Sequence, residues 1–156
     1  METAEKRYPI LNTYVNALSM DETVDYIKKV IARRTPPVQH VVINALKVNL
    51  MEEDPKLREI VNACPLINAD GSSILWAAKQ LGVPVEERVT GIDLFLRLVK
   101  EAAENGYKIY LFGAKEEVVT KVRDIFQQQY PTLKIAGYRN GYFTPEQEPQ
   151  IVADMA

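Results

Sequence analysis

The chain has very little of what metal, disulfide and nucleophile chemistry needs. Its 156 residues hold one cysteine, one histidine and one tryptophan. A single cysteine excludes an internal disulfide and a multi-cysteine zinc site. Cys64 lies at an apolar helix end, Ile60-Val61-Asn62-Ala63-Cys64-Pro65, and reads as a buried, inert thiol. His40 stands at the start of a strand and reads as a satisfied structural histidine. With one Cys and one His there is no zinc cluster, and no Ser–His–Asp or Cys–His set can be assembled. The Asp-x-Asp pair by which many sugar-nucleotide enzymes hold a metal is absent, as are Gly-x-Gly-x-x-Gly and the P-loop. No apolar run approaches the ~18–20 residues that span a bilayer. Met1 to Tyr8 is charged and has no signal core, so the expected location is cytoplasmic, with peripheral membrane contact left open. A net charge of −2 and a pI near 5.5 argue against nucleic acid as a partner.

What is present is ordinary for a soluble core: 47% hydrophobic and 26% charged residues, without repeats or low-complexity tracts. Ile10 to Leu18 reads as an extended segment or hairpin. Ser19-Met20-Asp21-Glu22 is a capping box that opens a helix through Val24, Ile27, Val30 and Ile31, and Thr35-Pro36-Pro37 ends it. Strands are expected at 40–44, 66–69, 108–113 and 133–138. Helices are expected at 45–51, 55–63, 72–81, 91–105 and 115–129, with a last one from Thr144-Pro145-Glu146 to the end. Alternating strands and helices predict an α/β fold, a Rossmann-like and mostly parallel sheet with helices on both faces. The whole chain, 1–156, is expected to be one domain. A last helix with no following strand predicts a truncated piece of a longer protein.

Ligands in such sheets bind outside the carboxyl ends of the strands, and several segments converge there by pattern. Asp70, in Asn68-Ala69-Asp70-Gly71, follows a strand and precedes a helix. It is either that helix's N-cap or a carboxylate base. Asn44 ends its own strand as a cap amide or as a donor and acceptor facing a pocket. In Arg88-Val89-Thr90-Gly91-Ile92-Asp93, two readings stand. Arg88, Thr90 and Gly91 hold an anion at a helix start, or Thr90 merely caps the helix and Arg88 is a surface charge. Phe112-Gly113-Ala114-Lys115 is a strand-to-helix turn that suits a nucleotide diphosphate or nothing in particular. In Gly137-Tyr138-Arg139-Asn140-Gly141-Tyr142-Phe143, aromatic rings are placed to stack on a base or sugar and Arg139 to meet phosphate; the alternative is a plain exposed turn.

Taken in order, Asn44-Ala45, Asn68-Ala69-Asp70-Gly71, Trp76-Ala77-Ala78, Arg88 to Asp93, Leu111 to Ala114 and Asn140 to Phe143 resemble the WecG/TagA/CpsF family of bacterial glycosyltransferases. The TagA branch, which works in wall teichoic acid synthesis, is the most similar. The resemblance implies transfer of N-acetylmannosamine from its UDP-sugar to N-acetylglucosamine on undecaprenyl diphosphate. It implies inversion, no metal and no cofactor. It makes Asp70 the catalytic base with Asn44 beside it. Gly113, Ala114, Tyr138, Arg139, Gly141 and Tyr142 then hold UDP, while Arg88, Thr90, Gly91 and Gly71 line the pocket. Relatives often carry threonine where this chain has Val42, and glycine near Ser72 or Ser73. The family extends beyond residue 156 into a segment implied to complete the site and to reach the inner face of the membrane. Self-association is a further implied possibility. A nucleotide-binding module without catalysis, a family member with another UDP-sugar, and a Rossmann dehydrogenase are the competing readings.

Overall fold

The computed structural model describes residues 4–33 and 36–155. The chain divides into two compact units, Met1–Phe95 and Leu96–Ala156.

The first unit opens with a hairpin, β1 (Arg7–Ile10) and β2 (Thr13–Asn16), paired antiparallel with Ile10 opposite Thr13. Helix α1 (Met20–Arg33) starts on the expected capping box. The Glu22 N–H donates to Ser19 Oγ at 3.2 Å and the Ser19 N–H to Glu22 Oε2 at 2.9 Å. The expected stop at Thr35 lies outside the described residues. Then come β3 (His40–Ile43), α2 (Ala45–Glu53), α3 (Pro55–Ala63), β4 (Leu66–Ala69) and α4 (Ser72–Gln80). Asp54 caps α3 through Leu57 N at 3.0 Å, with Pro55 in the first turn.

Strands β3 and β4 pair parallel, Val42 opposite Asn68 and Ile43 opposite Ala69. Parallel neighbours need a helical crossover, which α2 and α3 provide. Ile43, Ile67, Ala69, Met51, Val61 and Ile74 bury their side chains together around this pair. The buried Asn16 ties the hairpin to β4: its Oδ1 accepts from Ile67 N at 2.8 Å and its Nδ2 donates to Ala4 O at 2.9 Å. Cys64 is buried, its Sγ 3.3 Å from Ile60 O, and burial raises its thiol pKa, in keeping with an inert role.

Helix α5 (Gly91–Asn105) carries the chain into the second unit. There β5 (Lys108–Phe112), α6 (Glu116–Gln129) and β6 (Lys134–Arg139) form a βαβ unit with parallel strands. Val99, Ala102, Leu111, Val119, Phe126 and Leu133 make its core. The register jumps from Ile109 opposite Ile135 to Tyr110 opposite Gly137, so Ala136 is an extra residue, a β-bulge. A Cβ on Gly137 would fall 2.5 Å from Tyr110 Cε2, so glycine is the residue that lets the ring lie across β6. The last expected helix is broken in two. A 3₁₀ turn, Pro145–Gln147, precedes α7 (Glu148–Met155). Pro149 lacks an N–H to bond back into that turn, but fits the first turn of a new helix.

The fold is therefore α/β and Rossmann-like, built of parallel strand pairs joined through helices.

Candidate active site

Asp70 extends β4 by one residue, its N–H donating to Ile43 O at 2.8 Å. It does not cap the helix that follows. The N-cap of α4 is Gly71, whose φ of +106° is glycine's territory, and no side chain caps that end. The left-handed turn at Gly71 leaves Asp70 Oδ2 accepting from the Gly91 N–H, at 3.4 Å, at the start of α5. Among the described residues, Oδ1 takes no hydrogen bond.

The segment before α5 runs along the end of β4, with Val89 N donating to Ala69 O at 3.0 Å. Val89 is buried, which fixes Thr90 and Gly91 against the strand ends. Thr90 caps α5 and is itself held by Asp93: its Oγ1 accepts from Asp93 N at 3.1 Å and donates to Asp93 Oδ2 at 2.6 Å. The positive start of α5 is thus occupied by two carboxylates, Asp70 and Asp93, rather than left open for a phosphate. Arg88 is exposed and makes no ion pair among the described residues.

Asn44 stands at the end of β3, and a Cβ on Gly71 would lie 3.9 Å from its Cβ. Its Oδ1 caps α2 through Lys47 N at 2.9 Å. The cap reading thus describes its carbonyl oxygen, while Nδ2 has no partner among the described residues. Val42 packs beneath the start of α5, with Cγ2 3.5 Å from where a Cβ on Gly91 would sit. Asn44, Asp70, Gly71, Thr90 and Gly91, spread over 48 positions of sequence, therefore meet at the carboxyl ends of β3 and β4.

A second cluster forms in the other unit. Gly113 (φ +134°) and Ala114 (φ +57°) turn the chain from β5 into α6. The Gly113 N–H donates to Arg139 O and the Gly141 N–H to Ala114 O, both at 3.0 Å. A Cβ on Gly141 would come within 3.1 Å of Gly113 Cα, so the two turns are locked back to back. Asn140 braces them, donating to Glu116 Oε2 at 2.8 Å and accepting from Tyr142 N at 2.9 Å. No side chain caps α6 at Lys115, which leaves its first amides as anion donors, opposed by the acidic Glu116 and Glu117. Arg139 Nε is buried and has no hydrogen-bond partner among the described residues. A buried guanidinium N–H is costly to leave unmade, and a bound oxyanion would satisfy it.

The expected stacking role divides among the aromatics. One face of the Tyr138 ring is covered by the Arg123 guanidinium, 4.4 Å from its centroid, so that face is closed to a ligand. Tyr142 is 70% exposed, and Phe112 and Phe143 pair at 5.7 Å with open edges.

The profile of the glycosyl transferase WecG/TagA/CpsF family matches residues 8–156. The chain belongs to this family. Among curated proteins it is similar to an N-acetylglucosaminyldiphosphoundecaprenol N-acetyl-beta-D-mannosaminyltransferase of Bacillus spizizenii, 26% identical over 96 residues. That match covers 62% of this chain but 37% of the relative, so the chain spans about a third of that protein's length.

Two features of this family member were not legible in its sequence. Lys47 Nζ donates to Val42 O at 2.8 Å, on the side of β3 facing away from β4, and so ties α2 to the strand end. Phe112 joins the Gly113 turn through its contact with Phe143, 31 positions away. His40, by contrast, is held as expected. Its Nε2 is 2.9 Å from Asn68 Oδ1, and Asn68 Nδ2 donates to Thr23 Oγ1 at 3.0 Å, which makes His40 the donor. A cleft of about 340 Å³ lined by Lys6, Tyr8, Ser19, Glu22 and Glu86 includes none of the residues around Asp70.

Proposed function

We propose that this chain is the core of a glycosyltransferase that moves a sugar from a UDP-sugar to a hydroxyl of a lipid-linked acceptor, with Asp70 as the base. The family match runs through both units, which supports treating 1–156 as one working core. The observation that carries the reading is the state of Asp70. It is a carboxylate at a strand end, released from capping duty, anchored through one oxygen and with the other unengaged.

In the proposed step, Asp70 Oδ1 accepts the proton of the acceptor hydroxyl as that oxygen bonds to the anomeric carbon. The bond from that carbon to the donor's diphosphate breaks, and UDP leaves with the electron pair. Attack opposite the leaving group inverts the anomeric centre. Asn44 Nδ2 is assigned to the acceptor, and Arg88 to negative charge on either substrate. The UDP portion is assigned to the Gly113–Ala114 and Tyr138–Tyr142 turns, with Arg139 on an oxygen of the diphosphate and Tyr142 or Phe143 against the ring. The relative's name supports N-acetylmannosamine as the sugar and undecaprenyl-diphosphate-linked N-acetylglucosamine as the acceptor. Work on a lipid-linked acceptor would place the protein at the inner face of the cell membrane.

The test is Asp70→Asn, assayed for transfer and for thermal stabilisation by UDP. Loss of transfer by about 10²–10⁴-fold with UDP stabilisation intact is the expected result. Full activity in that variant would remove Asp70 as the base. Stabilisation by UDP with no transfer in the parent would favour a nucleotide-binding module instead.

A further inference from the structure

Lysine carries the wrong charge for the place that Lys47 occupies. It is the third residue of α2, in the first turn, where unpaired N–H groups and the helix dipole disfavour a cation. A glutamate or glutamine there would reach back to the N–H of the cap residue. Lys47 is half-buried, and no carboxylate pairs with it among the described residues. Its ammonium turns back over the strand and donates to Val42 O at 2.8 Å. Its charge adds to the burial that lowers the His40 pKa and works against the burial that raises that of Cys64. The ammonium therefore lies on the strand side of α2.

We infer that Lys47 is a positioning residue that holds the Asn44 amide in place for the acceptor. The inference rests on the role proposed for Asn44. A single residue, Asn44, stands between the end of β3 and the first residue of α2. With no loop to absorb movement, the aim of its side chain follows the angle between strand and helix. Lys47 holds both. Its N–H donates to Asn44 Oδ1 at 2.9 Å, and its Nζ closes a ring through Val42 O across the strand–helix corner. Val42 O points away from β4, and β3 has no other strand partner among the described residues. The ammonium thus supplies the donor that a neighbouring strand would give, and a charged donor makes the stronger bond. With Oδ1 held in this way, Nδ2 is the part of the Asn44 amide left to meet a ligand.

Lys47→Met keeps the stem and loses the donor, while Lys47→Arg keeps a charged donor of similar reach. Two NMR signals report on the change: the Asn44 side-chain amide and the chain's sole imidazole, His40. In the parent and in Lys47→Arg the Asn44 amide should be rigid. In Lys47→Met it should gain fast motion while backbone amides elsewhere keep their positions. The His40 pKa should rise in Lys47→Met, because a nearby positive charge is gone. In transfer assays Lys47→Met should lower kcat/KM for the acceptor roughly ten-fold, with KM for the UDP-sugar unchanged. Lys47→Arg should recover most of that loss. Asn44→Ser keeps a capping oxygen and removes the amide. In that background Lys47→Met should have no further effect on transfer, because its action runs through the amide. A full additional loss there would overturn the positioning role. So would an Asn44 amide that stays rigid, or a His40 titration that does not move, in Lys47→Met. Full transfer by Asn44→Ser would overturn the inference together with the acceptor role of Asn44, leaving Asp70 to its own test. A loosened amide in a protein that transfers no sugar would support the clamp while removing the catalytic reading.

Discussion

The Asp70 carboxylate accepts a hydrogen bond from the Gly91 N–H, 3.4 Å away and 21 positions along the chain. The donor is the first residue of α5, where the helix's unpaired N–H groups and its dipole favour negative charge. One contact thus fixes the orientation of the candidate base.

Gly91→Pro isolates that contact. Proline is well tolerated at a helix's first position, and Thr90 precedes it as a cap. The change deletes the N–H that Asp70 uses. Transfer should fall while stability changes by ~1 kcal/mol or less. Unchanged kcat in Gly91→Pro would show that Asp70 is positioned by something else. Gly91→Ala keeps the N–H and meets Val42 at ordinary contact distance, so it should remain active.

Thr90→Ala removes a cap whose hydroxyl both accepts from Asp93 N and donates to the Asp93 carboxylate. The expected cost is about 1 kcal/mol, or a fall of about 2–4 °C in Tm. Thr90→Ser should recover most of it. Equal Tm values for Ala and Ser would assign the loss to the methyl group instead.

Gly137→Ala drives a methyl group to 2.5 Å from the Tyr110 ring. Overpacking of this kind costs about 1–3 kcal/mol, readable by urea unfolding. Because the two positions share one clash, the Gly137→Ala, Tyr110→Ala double variant should lose less than the sum of its parts. Simple additivity would argue against the clash.

His40 gives stability a pH dependence of definite sign. Burial is the largest cause and lowers its pKa below 6.5; the Lys47 charge lowers it further, against the opposing pull of the Asn68 hydrogen bond. The unfolded chain therefore takes up the proton first. Stability is full above pH 6.5, falls as pH drops through 6.5, and levels off below the folded-state value. His40→Gln, which keeps a donor for Asn68, should flatten this part of the profile. An unchanged profile in that variant would place the titration elsewhere.

Caps and periodicity were legible because they are local. The Ser19–Glu22 box, the Asp54–Pro55 start and the strands around Ile43, Ile67 and Leu111 each depend on residues a few positions apart. The family could be read for the same reason, since its motifs are short and follow in order. The 3₁₀ turn at Pro145 was missed because Thr144-Pro145 and Glu148-Pro149 carry two competing start signals only four residues apart.

The sequence by itself determined the α/β order of elements, the scarcity of metal-binding side chains, and a short set of strand-end residues with chemical capacity. It left each of those residues with two readings, because a cap and a functional group use the same side chains. Only the tertiary structure showed which of their polar atoms are already engaged. It made Asn44 and Thr90 caps, freed Asp70 by giving the α4 cap to a left-handed glycine, and covered one face of Tyr138 with Arg123. The reason is physical: a side chain's role is set by the hydrogen-bond partner it reaches, and here those partners come from strands and helices far apart in the chain.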